Sequence, residues 1–315
     1  MPTAGRIDVH HHLIPAAFTA AMARHGISKV AGAELPAWSP QRSLAIMDQC
    51  GIGAAVLSLS APGVDFGDKA EAVALARACN EAAAEAKVAH PGRFGSFAVL
   101  PTPYVDEACA EAAHALDVLK ADGVVLLAST GGVFLGDPRF EALMAELNRR
   151  KAVVFVHPNI HPSSEQVGLD IPGFFVEFLC DTSRAVTNLI FSGALERYPD
   201  IRWILSHAGG FVPFIAWRLA LADGIPAIRE KAPKGVLHYI RQLNFDTALS
   251  PSPFALAALL QLTDPSHILF GSDFPFAPEP VIALETGTLE ASPLLTPAVR
   301  AGIDRENALA LLPGL

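Results

Sequence analysis

Basic residues are scarce in this chain. Lysine and arginine number 23 against 32 aspartates and glutamates, which leaves a net charge of −9 over 315 residues. An acidic surplus of that size argues against nucleic acid or an anionic membrane as the main partner, because both are themselves negatively charged. No run of 18 apolar residues is present, so no stretch reads as a membrane-spanning helix. The four cysteines, Cys50, Cys79, Cys109 and Cys180, lie far apart. Their spacing excludes a zinc knuckle and does not suggest a disulfide frame; they read as buried thiols in a reducing compartment. The first residues carry no basic-then-apolar signal pattern, and the expectation is a cytoplasmic protein. A glycine-rich dinucleotide turn after the first strand is also missing, which weakens the case for a doubly wound sheet.

What the chain does have is regular alternation. Short apolar or β-branched runs are expected as strands at Arg6–His10, Ala54–Ser58, Phe94–Leu100, Gly123–Ala128, Val153–His157, Arg202–Ser206, Leu243–Asp246 and His267–Gly271. Ala-rich helical stretches separate them, among them Lys69–Ala89, Val105–Lys120, Pro138–Arg150 and Pro253–Leu262. Asp137-Pro138 and Ser252-Pro253 each pair a cap with a first-turn proline, which marks a helix start. Eight strands with intervening helices predict a (β/α)8 barrel occupying residues 1–315 as one domain, with a long loop from about Leu13 to Pro40, an insertion at His161–Pro172 and a closing helix at Ile303–Leu312.

In such a barrel the chemistry sits at the C-terminal ends of the strands. Polar residues collect there selectively. The first strand ends in His10-His11-His12, the fifth in His157, the sixth in His207 and the eighth in Asp273. Strand alternation puts His10 and His12 on one face and turns His11, read as structural, to the other. A lone strand-end histidine is more often a core residue than a ligand. Five such groups on four strand ends of one face are hard to ascribe to accident. Three imidazoles and a carboxylate suit one divalent ion, zinc first, with Mn²⁺ or Fe²⁺ as alternatives. The expected fourth strand, Gly123–Ala128, holds no lysine that could bridge a second metal.

These residues resemble the amidohydrolase superfamily, and within it the aminocarboxymuconate-semialdehyde decarboxylase-related family. The similarity rests on Ile7-Asp8-Val9-His10-His11-His12, Met47-Asp48, Phe155-Val156-His157-Pro158, His207-Ala208-Gly209-Gly210, Asp246-Thr247-Ala248-Leu249, Gly271-Ser272-Asp273-Phe274-Pro275 and Asn307-Ala308. The resemblance implies that His10, His12, His157 and Asp273 hold the metal and that His207 and Asp273 are catalytic. It implies that Arg218 reaches a neighbouring subunit's site and holds a substrate carboxylate, hence a homodimer. A substrate-binding arginine of the namesake enzymes falls at Ser43 here, and Arg42, one place away, is rotated by about 100° on a helix. The Pro36–Pro40 and Leu57–Gly63 stretches are most similar to the branch acting on 6-methylsalicylate. The expected activity is therefore metal-dependent, non-oxidative decarboxylation of a small hydroxybenzoate-type carboxylic acid, with hydrolysis of a lactone, ester or amide as the alternative. Trp38 and Phe274, with Phe174 and Phe175, are candidates to line a pocket for the ring.

Overall fold

A computed structural model of the chain describes residues 5–167 and 169–315. Met1–Ala4, and Gly168 within the expected His161–Pro172 insertion, lie outside the described residues. Eight parallel strands follow one another in chain order around the sheet: β1 (Arg6–His12), β2 (Ile52–Ser58), β3 (Phe94–Val99), β4 (Gly123–Leu127), β5 (Val153–His157), β6 (Arg202–Leu205), β7 (Asn244–Asp246) and β8 (Ile268–Leu269). The ring closes where the Val9 amide donates to the Phe270 carbonyl at 3.0 Å and the Asp273 amide to the His10 carbonyl at 2.8 Å. The (β/α)8 barrel expected from the alternation is the observed fold. No single helix among the described residues is long and apolar enough to cross a membrane.

Strand periodicity builds the interior. Ile7, Val9, Ala54, Val56, Phe97, Val125, Phe155, Ile204 and Leu269 pack inside the ring, while alternate residues such as Ala55, Leu57, Val124 and Val154 pack outward against the helices. The helices Lys69–Ala89 and Pro253–Leu262 have the expected bounds, each opened by a capping side chain, Asp68 and Ser252. The closing helix is broken into a π turn, Gly302–Glu306, and a short helix, Asn307–Leu311.

The long loop expected after the first strand is a correction. Leu13–Pro40 contains a helix, Ala16–Arg24, and a two-stranded hairpin, Lys29–Val30 with Ala33–Glu34. The helix is short and the hairpin strands have two residues each, too few for a periodic pattern to stand out. The hairpin is held down by the β5 insertion, where the Phe174 amide donates to the Ala31 carbonyl at 3.3 Å.

One buried carboxyl group, Glu285, has no charge partner among the described residues. Glu285, on the helix Glu279–Ala291, is 6% exposed, and neither carboxyl oxygen makes a hydrogen bond of normal geometry. Burial, reinforced by the Asp273 carboxylate, pushes its pKa from 4.5 up to about 9; the nearby Leu249 amide pulls only weakly the other way. Between those values the unfolded chain releases this proton and the folded chain keeps it, so this group favours folding at the acid end and opposes it as pH rises. The Glu285→Gln variant should therefore melt higher than the parent at about pH 8, with the gain shrinking toward about pH 5. Thermal unfolding of the metal-loaded protein across that range checks it, and a gain independent of pH would contradict the assignment.

Candidate metal centre

Strict alternation along β1 would not deliver its histidines to the interior. Ile7 and Val9 already face inward, so the next inward residue by period two is His11. The pairing of β1 with β2 shifts register between Asp8 and His11. This bulge, with the His10 amide donating back to Asp8 Oδ1 at 3.1 Å, re-aims His10 and His12 into the barrel mouth. His11 turns away from the mouth, as expected, and is fully buried with Nδ1 on Asp8 Oδ2 and Nε2 on Ser43 Oγ.

The strand ends bring His10, His12, His157 and Asp273 together, with one ligand atom of each within 4.8 Å of the others. Each imidazole uses Nδ1 on an acceptor behind it: His10 on Asp246 Oδ2 at 2.7 Å, His12 on the Ser58 carbonyl at 3.1 Å and His157 on the Pro158 carbonyl at 2.8 Å. Carbonyl and carboxylate oxygens only accept, so Nδ1 carries the hydrogen and the Nε2 lone pairs face the centre. His10 Nε2 and His12 Nε2 are 3.0 Å apart, and Asp273 Oδ1 lies 3.2 Å and 3.0 Å from them. Such separations are the edge lengths of a coordination shell around an ion held at about 2.0–2.2 Å. The residues thus form a buried metal-binding group, fitted to one divalent cation.

The electrostatics agree with that fit. Burial lowers the pKa of His12, and lowers that of His157 well below the ordinary value with help from the surrounding imidazoles. His10 resists burial because Asp246 and Asp273 face it, and its pKa rises to about 10. Asp273, although buried, is held well below the usual carboxylate range by the His10 charge and by hydrogen bonds from His10, His12 and His207. In the metal-free protein a proton on His10 does part of what a cation does.

His207 stands on the outer side of this group. Its Nε2 is 3.5 Å from Asp273 Oδ2, and its Nδ1 is buried without a partner among the described residues. The loop that carries it is strained, with His207 and Ala208 at φ of 53° and 56°, and after the eighth strand Asp273 takes 58°. Gly210 follows with φ of 64°, where a Cβ would sit 2.5 Å from the Leu179 carbonyl. Asp246 anchors the turn through Oδ1, which accepts from the amides of His207 at 2.8 Å and Ala248 at 3.0 Å.

A cavity of 460 Å³ opens onto His157, His207 and Asp273. Its wall is apolar, formed chiefly by Phe174, Phe175, Phe178, Leu179, Phe276 and Val281, with Ser60 and Ser250 as hydroxyls. Phe174 and Phe175 are where the sequence suggested. Trp38 and Phe274 are not on this wall, which corrects their assignment as ring contacts. Trp38 packs against the core and donates Nε1 to Ser43 Oγ at 2.9 Å. Phe274 is 1% exposed and lies beside His11, with ring centroids 5.0 Å apart. The Phe274-Pro275-Phe276 turn puts Phe276 at the cavity instead, 5.5 Å from the His12 ring. Ser43 is fully buried, and Arg42 lies outside the cavity, paired with Glu279 at 3.6 Å. Arg218 is exposed on the helix Val212–Ala220, and its guanidinium makes no hydrogen bond or ion pair among the described residues. Asp246 belonged to a recognised motif but carried no assigned role; its place at the end of the seventh strand was the signal.

Gly271 marks how tightly this centre is packed. A Cβ there would lie 2.9 Å from His10 Cβ and 3.2 Å from Asp246 Cβ. Gly271→Ala should displace one of them, cost about 1–3 kcal/mol of stability and weaken metal retention. Thermal unfolding with and without metal, and metal content after dialysis, would expose a variant that behaves as the parent and so refute this.

Comparison with known proteins places the chain. A family model described as amidohydrolase matches residues 7–314. The 6-methylsalicylic acid decarboxylase of Penicillium expansum is 37% identical over 98% of this chain and 97% of its own length. A crystal structure described as an amidohydrolase II superposes with a TM-score of 0.92 at 33% identity, covering 98% of this chain and 99% of that one. A dihydroxybenzoic acid decarboxylase from Polaromonas sp. JS666, solved with manganese and 2-nitroresorcinol, shares the fold at a TM-score of 0.85 and 22% identity over 98% of this chain and 97% of that one. The family model spans almost the whole chain, a range that includes every strand-end residue of the centre, and the protein belongs to the amidohydrolase family.

Proposed function

We propose that the protein is a metal-dependent, non-oxidative decarboxylase of a small aromatic carboxylic acid of the hydroxybenzoate type, with 6-methylsalicylate as the foremost candidate. The observation that carries this reading is the pairing of an acid-base couple, His207 and Asp273, with an aromatic-walled cavity whose described lining holds no lysine or arginine. A flat ring fits such walls, and within one chain a single carboxylate has only the metal centre to neutralise it. The similarity to the Penicillium expansum decarboxylase supports the substrate class. A divalent ion on His10, His12, His157 and Asp273 supplies Lewis-acid charge to the substrate oxygens. Zinc is our first choice; manganese, present in the Polaromonas relative, and iron suit the same donors. The His207–Asp273 couple holds the proton that passes to the ring carbon bearing the carboxylate. The carbon–carboxyl bond then breaks, its electron pair returns to the ring, and CO₂ leaves. The couple regains its proton from solvent.

The partner of the chain is a second copy of itself in this reading. Phe214, Trp217 and Leu221 are 88%, 74% and 65% exposed and form one stripe along the helix Val212–Ala220 and its C-cap, with Arg218 among them. A homodimer closed through this stripe covers it and offers Arg218 to the neighbouring cavity as the missing cation. The four unpaired cysteines fit a reducing compartment, and the cytoplasm is the proposed location.

Incubation of the metal-loaded protein with 6-methylsalicylate and related hydroxybenzoates should release CO₂ and the matching phenol. Asp273→Asn and His207→Gln should each lower kcat by at least about 10²-fold. Turnover of a lactone panel with no CO₂ from any such acid would overturn the reading in favour of hydrolysis. For the assembly, Trp217→Glu should shift the mass in light scattering from dimer to monomer. Arg218→Ala should leave the dimer intact and raise KM for the acid. A wild-type monomer that is fully active would remove the dimer from the account.

A further inference from the structure

The barrel mouth is divided in two. The metal centre occupies the half formed by β1, β5, β6 and β8. The other half, above β2, β3 and β4, contains a second cavity of 380 Å³ that the chemistry described so far leaves unused. Its floor is Val99, Val125 and Leu127, the inward residues at the ends of β3 and β4. Leu127 pairs with His157 in the strand register, so this aliphatic floor lies level with the metal-binding residues.

The partition between the two is thin. Val30, 6% exposed at the hairpin, lines both cavities. On the turn after β2, Ser60 faces the metal cavity while its neighbours Leu59 and Ala61 face the second chamber.

The polar groups around the chamber already have partners. Lys29 pairs with Glu34 at 3.0 Å, and Asp65 accepts from the Tyr104 hydroxyl at 3.0 Å. The Asn159 amide donates to the Ser129 carbonyl and accepts from the Ile160 amide. Thr102 and Thr130 face each other at 3.4 Å. What the chamber offers a ligand is therefore an aliphatic floor, with its one carboxylate, Asp65, engaged by the Tyr104 hydroxyl and the Gly67 amide, beside a centre that binds the charged end of the substrate.

We infer that this chamber is a second substrate subsite, taking an uncharged alkyl chain carried by the aromatic acid and admitted past Val30. The inference rests on the proposed decarboxylase reading and extends its substrate class to alkyl hydroxybenzoates with chains longer than methyl. Chain carbons leave water for an aliphatic wall, which raises affinity by up to about fourfold per methylene.

The test uses the metal-loaded protein and 2-hydroxy-6-alkylbenzoates from methyl to heptyl. The ratio kcat/KM, followed by CO₂ release, should rise over the first few added carbons and then level off. Thr102→Phe and Thr130→Phe, which fill the chamber from its far wall, should abolish the rise and keep the methyl substrate within about twofold of the parent; that rate also reports that each variant is folded. Calorimetric binding of 3-methylphenol and 3-pentylphenol separates the two ideas, since it needs no turnover. If no acid is decarboxylated but pentylphenol binds better and loses that advantage in Thr130→Phe, the subsite stands and the activity falls. If 6-methylsalicylate is turned over while kcat/KM drops from methyl onward, or a gain survives both fillings, the subsite is wrong and the activity stands.

Discussion

Everything at the mouth of this barrel answers to one electrostatic constraint: three imidazole lone pairs and a carboxylate oxygen point into the same few ångströms. Without a positive charge between them they repel. The protein maintains the arrangement by tying down each imidazole from behind. His12 and His157 lean on backbone carbonyls, so their orientation is as rigid as the strands that carry them. His10 leans on Asp246, which also anchors the turn bearing His207. One carboxylate thus sets a ligand on β1 and the neighbouring imidazole after β6 together, so the orientation of His10 and the position of His207 depend on the same side chain.

Holding that convergence strains the backbone, and the strain gathers where the ligands do. His207, Ala208, Leu249 and Asp273 all have positive φ between 53° and 58°, although none is glycine. Such conformations cost about 1–3 kcal/mol each and persist only where surrounding contacts over-determine them. Asp8 is one source of that determination. It accepts from the amides of His10 and Ser272 and from the Ser272 hydroxyl and His11, so the strand ends of β1 and β8 are joined through a single buried carboxylate. Trp38 and Ser43 extend the same chain behind His11. Residues that resemble substrate contacts in the sequence thus support the frame.

The barrel and the metal-binding residues were legible in the sequence because both follow from period and position. Inward and outward faces alternate, and polar residues at strand ends have few structural reasons to be there. Legibility failed where a side chain's direction depends on a local irregularity. The bulge at Asp8–His11 reverses the alternation, so His10 and His12 share a face as expected, yet it is the inward face only because one extra residue intervenes. The Phe274–Phe276 turn exchanges one aromatic for another two residues on. The helix and hairpin after β1 were hidden because short elements leave no period, and their function as a partition depends on contacts with the β5 insertion far away in sequence.

The composition of the cavity bears on how specificity is divided. Within one chain, a substrate carboxylate attracted only by a metal ion would have its charge satisfied and its orientation left free, because an ion is nearly isotropic. Orientation must come from the walls. Phe174, Phe178 and Phe276 restrict the tilt of a ring, while Ser60 and Ser250 are the described hydroxyls available to it. A ring with many polar substituents would leave some of them unpaired against these walls, at a cost that a methyl or alkyl group avoids. The same lack of basic residues that marks the whole chain is therefore felt locally: with no cation of its own on the described wall, this cavity presents apolar shape on one side and the metal-binding residues on the other.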